Sequence, residues 1–201
     1  MTHHPAQHFC ATCAPAHRTF LAGTAPTCSH RVLRDVVTAY TAGAEAVAHV
    51  DLHTGSGERA HDEPVFRDGR DPGAPDRARA WYGPALTVSS DGTAGSTPIT
   101  GDTAGLVADI LGDGPPPTAT TLEMGTTAGP EALTALRADN RLWLHPGHRP
   151  ALAEGIGRRM SAAFSPDDPG WRDAVPRAGT GVLHAALAGL TPEVRPRPAR
   201  P

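Results

Sequence analysis

The sequence contains no lysine. All 18 of its basic residues are arginine, set against 21 acidic residues for a formal charge of −3. That balance excludes a nucleic-acid partner held by phosphate neutralisation, because such domains run strongly basic. Asparagine occurs once, at Asn140. Lysine and asparagine both use AT-rich codons, so a GC-rich coding sequence accounts for these absences and for the alanine, glycine, proline and arginine load. Aromatic residues make up only 4% and hydrophobic residues 39% of the chain, so the core must be aliphatic and thin. No apolar run approaches the roughly 20 residues that span a bilayer. Met1-Thr2-His3-His4-Pro5 carries no apolar signal region. The expectation is a soluble cytoplasmic protein with no membrane and no nucleic-acid partner. Cysteine is limited to Cys10, Cys13 and Cys28.

What is plentiful is glycine (22) and proline (21), about a fifth of the 201 residues. The length fits one domain with tails at roughly 150 residues per domain. Residues 1–28 read as irregular. Ser29 is a candidate N-cap, and Val32, Leu33, Val36, Val37 and Tyr40 recur at helical spacing over 30–46. Residues 46–53 read as a buried strand that ends at Gly55-Ser56-Gly57. From 57 to 75 the chain is polar and reads as a long loop, a feature usually tied to function or disorder. A short strand follows over 84–89, then a helix over 101–111 capped by Asp102 or Thr103. Residues 118–124 form a second core strand, and Pro130 opens another helix. Two more helices fall at 151–164 and 171–190, the latter expected to break near Pro176 and Gly179. Arg195 to Pro201 lacks core-forming residues and should be extended. Helix, strand, loop, strand, helix is an α/β order around a mixed or parallel sheet.

Two strand ends carry chemistry. In Asp51-Leu52-His53-Thr54-Gly55 a histidine closes a buried strand, where α/β proteins place ligand groups. Asp51 shares its face and can orient the imidazole as a carboxylate behind a metal ligand. In Thr121-Leu122-Glu123-Met124-Gly125-Thr126 a lone carboxylate closes the other strand. A partly buried glutamate there suits a general base for water activation. At the N-terminus, Cys10-Ala11-Thr12-Cys13, then 14 residues, then Cys28-Ser29-His30 comes close to structural zinc spacing. His145 and His148 sit in a Pro/Gly turn and read as a solvated loop. Nucleophile-elbow, phosphate-loop and dinucleotide motifs are absent.

Asp51-Leu52-His53-Thr54-Gly55 followed by Glu63, and Thr121-Leu122-Glu123-Met124-Gly125-Thr126, together resemble a bacterial family of poorly defined function related to the zinc carboxypeptidases. Its clan also holds succinylglutamate desuccinylase and aspartoacylase. Gly23-Thr24-Ala25-Pro26 leading to Arg34-Asp35, Thr100 to Gly105, Leu136 to Asn140, and Phe164 to Pro169 with Trp171 fit in order. The resemblance runs from about residue 17 to 190. It leaves 1–16 as an out-of-family N-terminus and 191–201 as a Pro/Arg tail. It implies a partial three-layer α/β/α sandwich around a mixed sheet, carboxypeptidase-like and lacking its N-terminal strands. It also implies zinc as cofactor and a peptide or acyl-amino-acid substrate. His53 would be a zinc ligand, Glu123 the general base, Asp51 the carboxylate behind His53, and Glu63 a loop contact.

The departures are as informative. In the clan a His-x-x-Glu pair supplies two zinc ligands, and no histidine here has a glutamate three residues on. The Arg/Asn motif for a substrate carboxylate is missing as well. Three readings follow. One is a metallopeptidase or amidohydrolase completed by ligands from elsewhere. Another is a non-catalytic remnant or binding domain. The third is a small zinc module on Cys10, Cys13, Cys28 and His30. Loss of the first strands would turn a central strand into an edge. A homodimer, or a partner covering that edge, is the expected consequence.

Overall fold

The computed structural model describes residues 25–67, 71–95, 99, 101–145, 147 and 150–191. Cys10, Cys13, the other histidines before residue 25, Gly23-Thr24, His148 and the Pro/Arg tail lie outside the described residues. Among the described residues four strands form one mixed sheet in the order β1-β4-β2-β3. These are β1 (Ala48–Ser56), β2 (Asp62–Phe66), β3 (Thr87–Val88) and β4 (Thr118–Thr127). β4 runs parallel to β1 and antiparallel to β2, and β2 runs parallel to β3. Six α-helices accompany it: α1 (Cys28–Thr41), α2 (Ala74–Tyr82), α3 (Thr103–Leu111), α4 (Gly129–Leu144), α5 (Pro150–Phe164) and α6 (Pro169–Leu190). Helices lie on both faces of the sheet, as in a partial α/β/α sandwich. None of the described helices is long and apolar enough to cross a membrane.

Strand alternation sorts the faces. Val50, Leu122 and Met124 point toward α6, where Val175, Ala178 and Val182 meet them. A second cluster joins Phe66, Leu86 and Val88 to Ala74 and Ala78 of α2. The α2–α6 contact is close: a side chain at Gly189 would collide with the Trp81 ring. On the opposite face Thr103, at the start of α3, donates to Asp51 at 2.9 Å.

Several elements differ from the sequence reading for identifiable reasons. α1 is capped two residues earlier than expected, by Thr27, whose hydroxyl accepts from the His30 N–H at 3.2 Å. β1 continues through Gly55 to Ser56 because β4 keeps pairing alongside it, with a register slip after Gly55. The expected loop over 57–75 contains β2, which fills the gap between β4 and β3. Pro64 hid this strand, since proline cannot donate to a ladder. Among the described residues β3 pairs in the ladder only with Val65 and Phe66, so no backbone ladder bond is needed at Pro64 on that side, where the Thr87 hydroxyl donates to the Pro64 carbonyl at 3.4 Å. The same expected loop also holds the start of α2. α6 runs unbroken for 22 residues with Pro176 inside it. Its N-terminus is fixed by Asp168, which accepts the Trp171 N–H at 2.9 Å.

Candidate functional site

β4 is the most enclosed strand, and its composition explains how it tolerates burial. Thr118, Thr120, Thr121 and Thr126 are buried polar residues, so each hydroxyl must find a partner to offset desolvation. Thr120 donates to the Val65 carbonyl, and Thr118 accepts from the Arg77 guanidinium at 3.1 Å. The Thr126 hydroxyl lies between the Gly55 and Ala163 carbonyls. Gly125 is required by close approach: a Cβ there would run into the backbone at Glu58. Its N–H donates to His61 and its carbonyl accepts from Ala60. The Trp171 indole donates to that same carbonyl at 3.0 Å. The 57–61 turn is thus clamped over the end of β4.

Three candidate residues form one row across three strands. His53 pairs in register with Glu123, and Glu123 pairs with Glu63. Directly opposed residues project from the same face, so the sheet brings together side chains that the sequence separates by up to 70 positions. Asp51 sits two residues back on the His53 face, with its carboxylate 3.5 Å from His53 Nδ1. That contact raises the His53 pKa, while partial burial opposes the rise and the nearby Glu123 charge adds to it. The same contact lowers the Asp51 pKa, helped by the Thr103 hydroxyl. His49 lies further back on this face. Burial lowers its pKa against the pull of Asp51 and Asp102, and its Nδ1 has no hydrogen-bond partner.

A cavity of about 850 Å³ opens at the carboxyl ends of β1 and β4, lined by Glu58, Arg59, Glu63, Glu123, Thr126 and Thr127 among others. Glu123 and Glu63 therefore reach the cleft. His53 stands beside Glu123 on the same sheet face but is not among the lining residues. Glu63 is held by the Thr87 hydroxyl at 2.7 Å and the Gly95 N–H at 3.0 Å. Glu123 forms an ion pair with Arg67, whose side chain is only 7% exposed. Arg59 donates to the Thr126 carbonyl at 3.3 Å and to Asp168 at 3.4 Å. A neighbouring cavity of about 500 Å³ between α4 and α5 shares Arg59 and Thr127 and adds Glu131 and Arg159.

Arg67 and Arg59 were not legible as site residues from the sequence. Arg67 follows β2 directly, so recognising that strand would have placed it one residue past the sheet. Arg59 lies in a turn whose position is set by contacts with β4.

A catalytic zinc needs three protein ligands and an open position. Among the described residues no group of three His, Cys, Asp or Glu side chains is arranged to hold a metal. His53 has Asp51 behind it, and Glu123 is engaged by Arg67. This donor set does not fit the zinc that the resemblance implies. Of the Cys/His alternative, only Cys28 and His30 are described. Cys28 is exposed at the start of α1, 3.4 Å from the Arg31 guanidinium, and His30 Nε2 is enclosed without a partner.

No curated protein and no solved structure matches the chain. A family model does, over residues 15–178, and its description is that of a protein of unknown function, DUF2817. The match spans most of the sequence, and the chain belongs to the DUF2817 family.

Proposed function

We propose that this chain is a member of the zinc-carboxypeptidase and desuccinylase/aspartoacylase lineage whose described residues bind an amide-containing ligand without forming a complete hydrolytic centre. One observation carries this reading. The His53–Glu123–Glu63 row holds residues to which the resemblance assigns roles, yet Glu123 is occupied by the nearly enclosed Arg67, and among the described residues His53 is the imidazole paired beside it. The cleft has the size of a small-ligand site, within the usual range of about 300–1,000 Å³. Its carboxylates and Arg59 offer acceptors and a donor for the backbone of a short peptide or an acyl amino acid. Arg67 holds Glu123 in place, and Glu63 is fixed by Thr87 and Gly95. The site is therefore organised before a ligand arrives, which lowers the cost of binding.

The test pairs binding with turnover. Acetylated amino acids and dipeptides are titrated into the full chain by NMR, and product is followed with and without added zinc. The expected result is saturable shifts that weaken in Arg59→Ala and Glu63→Gln, with no product. Zinc-dependent hydrolysis abolished by Glu123→Gln and His53→Ala would replace this reading with that of a complete enzyme. Absence of binding by every ligand in the series would remove it.

A further inference from the structure

β1 forms one border of the sheet, paired along one side only among the described residues. It is long for a border strand, at nine residues, and it carries Leu52 with 49% of its surface exposed. Natural proteins usually shorten, bend or charge such an edge, because its unpaired N–H and C=O groups template association.

The apolar surface continues onto the helices. α6 passes Leu52 at Gly179. One and two turns further along that side are Leu183 and Leu187, 46% and 61% exposed. α1 packs chiefly on α3 and buries none of its residues. Val32, Val36 and Tyr40 form a stripe at i, i+4, i+8 on α1 and are 60%, 47% and 86% exposed.

We infer that the β1 edge is a docking surface for a second copy of this chain, joined antiparallel about a two-fold axis at Leu52. The strand's own charges suit that occupant, and its exposed leucine favours that register. With Leu52 opposite Leu52 of the second copy, Asp51 stands opposite His53 of the second copy, and the reverse pair follows by symmetry. Opposite charges directly across a strand pair are favourable, and like charges are unfavourable. Moving the axis to Asp51 would set two carboxylates against each other. Moving it to His53 would set two imidazoles together and leave Asp51 facing Gly55. An axis at Val50 would also set Asp51 opposite a histidine, His49, but would leave the exposed Leu52 facing Ala48, so the Leu52 axis is the one that matches both the charges and the exposed apolar side chain. The resulting sheet would have eight strands, and the interface is isologous, the form typical of two-fold dimers. Leu183 and Leu187 would extend it along the α6 side. This inference is independent of any ligand in the cleft.

Light scattering on the full chain after size exclusion reads the mass directly. Twice the chain mass of 20.8 kDa is expected, falling to one chain in Leu52→Lys with an unchanged far-UV CD spectrum. Cysteine scanning tests the register without relying on that variant's folding. In a background with Cys10, Cys13 and Cys28 replaced by serine, Leu52→Cys should oxidise to a covalent dimer, and Asp51→Cys should not. A monomer at every loading concentration would overturn the proposal. So would a dimer that survives both Leu52→Lys and Leu187→Glu, crosslinking through Asp51→Cys in place of Leu52→Cys, or an edge filled by a different chain.

Discussion

β1 and β4 lie side by side, parallel and in register from Ala48 opposite Thr118 to Gly55 opposite Gly125. Their surroundings could hardly differ more. Among the described residues β4 has a strand on each side and is buried along nearly its whole length, while β1 has one neighbour and exposes both Leu52 and His53. The same contrast governs their charges. Glu123 on β4 is neutralised by an arginine that water barely reaches, whereas Asp51 and His53 on β1 form a loose contact with the imidazole 57% exposed. Equal apolar content along a strand therefore does not mean equal burial. The number of neighbouring strands decides it, and that is a property of the sheet order.

The largest way to break the contrast is at Arg67. Arg67→Ala leaves Glu123 without its partner in a largely enclosed position, and losing one member of a buried pair costs about 3–5 kcal/mol. Adding Glu123→Gln should recover much of that loss. Urea denaturation of the single and double variants checks it, and a loss below about 1 kcal/mol would show that the pair is solvated after all.

Next come the two leucines. Leu122 is 3% exposed and Leu52 is 49% exposed. Leu122→Ala should cost about 3 kcal/mol, within the range for buried leucines. Leu52→Ala, measured at dilution where the chain is monomeric, should cost less than about 1 kcal/mol. Equal losses would mean that β1 is as enclosed as β4.

A smaller effect is expected at Tyr82, whose hydroxyl donates to the Thr118 carbonyl at the start of β4 at 3.2 Å. Burial pushes its pKa well above the ordinary tyrosine value, so the phenol stays neutral and donates throughout the working range. Tyr82→Phe should cost about 1 kcal/mol by calorimetry, the net worth of one hydrogen bond.

The smallest effect is the pH dependence from the β1 pair. His53 has a raised pKa, so its contribution is complete below about pH 6.5 and is lost as pH rises through the folded-state value. Asp51 has a lowered pKa, so its contribution is present above about pH 4 and is lost as pH falls through its folded-state value. The pair therefore stabilises most between those limits. His49 acts in the opposite sense: its pKa is lowered, so its contribution is complete above about pH 6.5 and fades in acid. Stability measured against pH for His53→Gln should lose the decline that His53 contributes above neutrality. A curve superimposable on that of the parent would contradict the contact.

How much of this was legible in the sequence follows from the kind of signal each residue gives. β4 was readable because Thr118 to Met124 is β-branched and apolar on both faces, as an interior strand must be. α3 and α4 were readable from Asp102 and Pro130. β2 was not, because Asp62, Glu63 and Pro64 look like a loop, and only contact with β4 on one side and β3 on the other makes them a strand. With β2 went Arg67, whose partner lies 56 positions away. Two strand ends pointed to one cleft for His53 and Glu123; the structure gives them a shared sheet face, but of the two only Glu123 lines the cavity. The row they form with Glu63 needed the antiparallel register of β2.

Zinc content is the most direct test of an incomplete metal centre at His53. The full chain and His53→Ala, with Cys10, Cys13 and Cys28 intact in both, are equilibrated with zinc, dialysed and analysed by plasma mass spectrometry. The same zinc content is expected in both proteins, because one imidazole backed by Asp51 leaves a metal mostly hydrated and readily lost. One zinc per chain in the parent that disappears in His53→Ala would contradict it, and would show that His53 belongs to a complete metal centre.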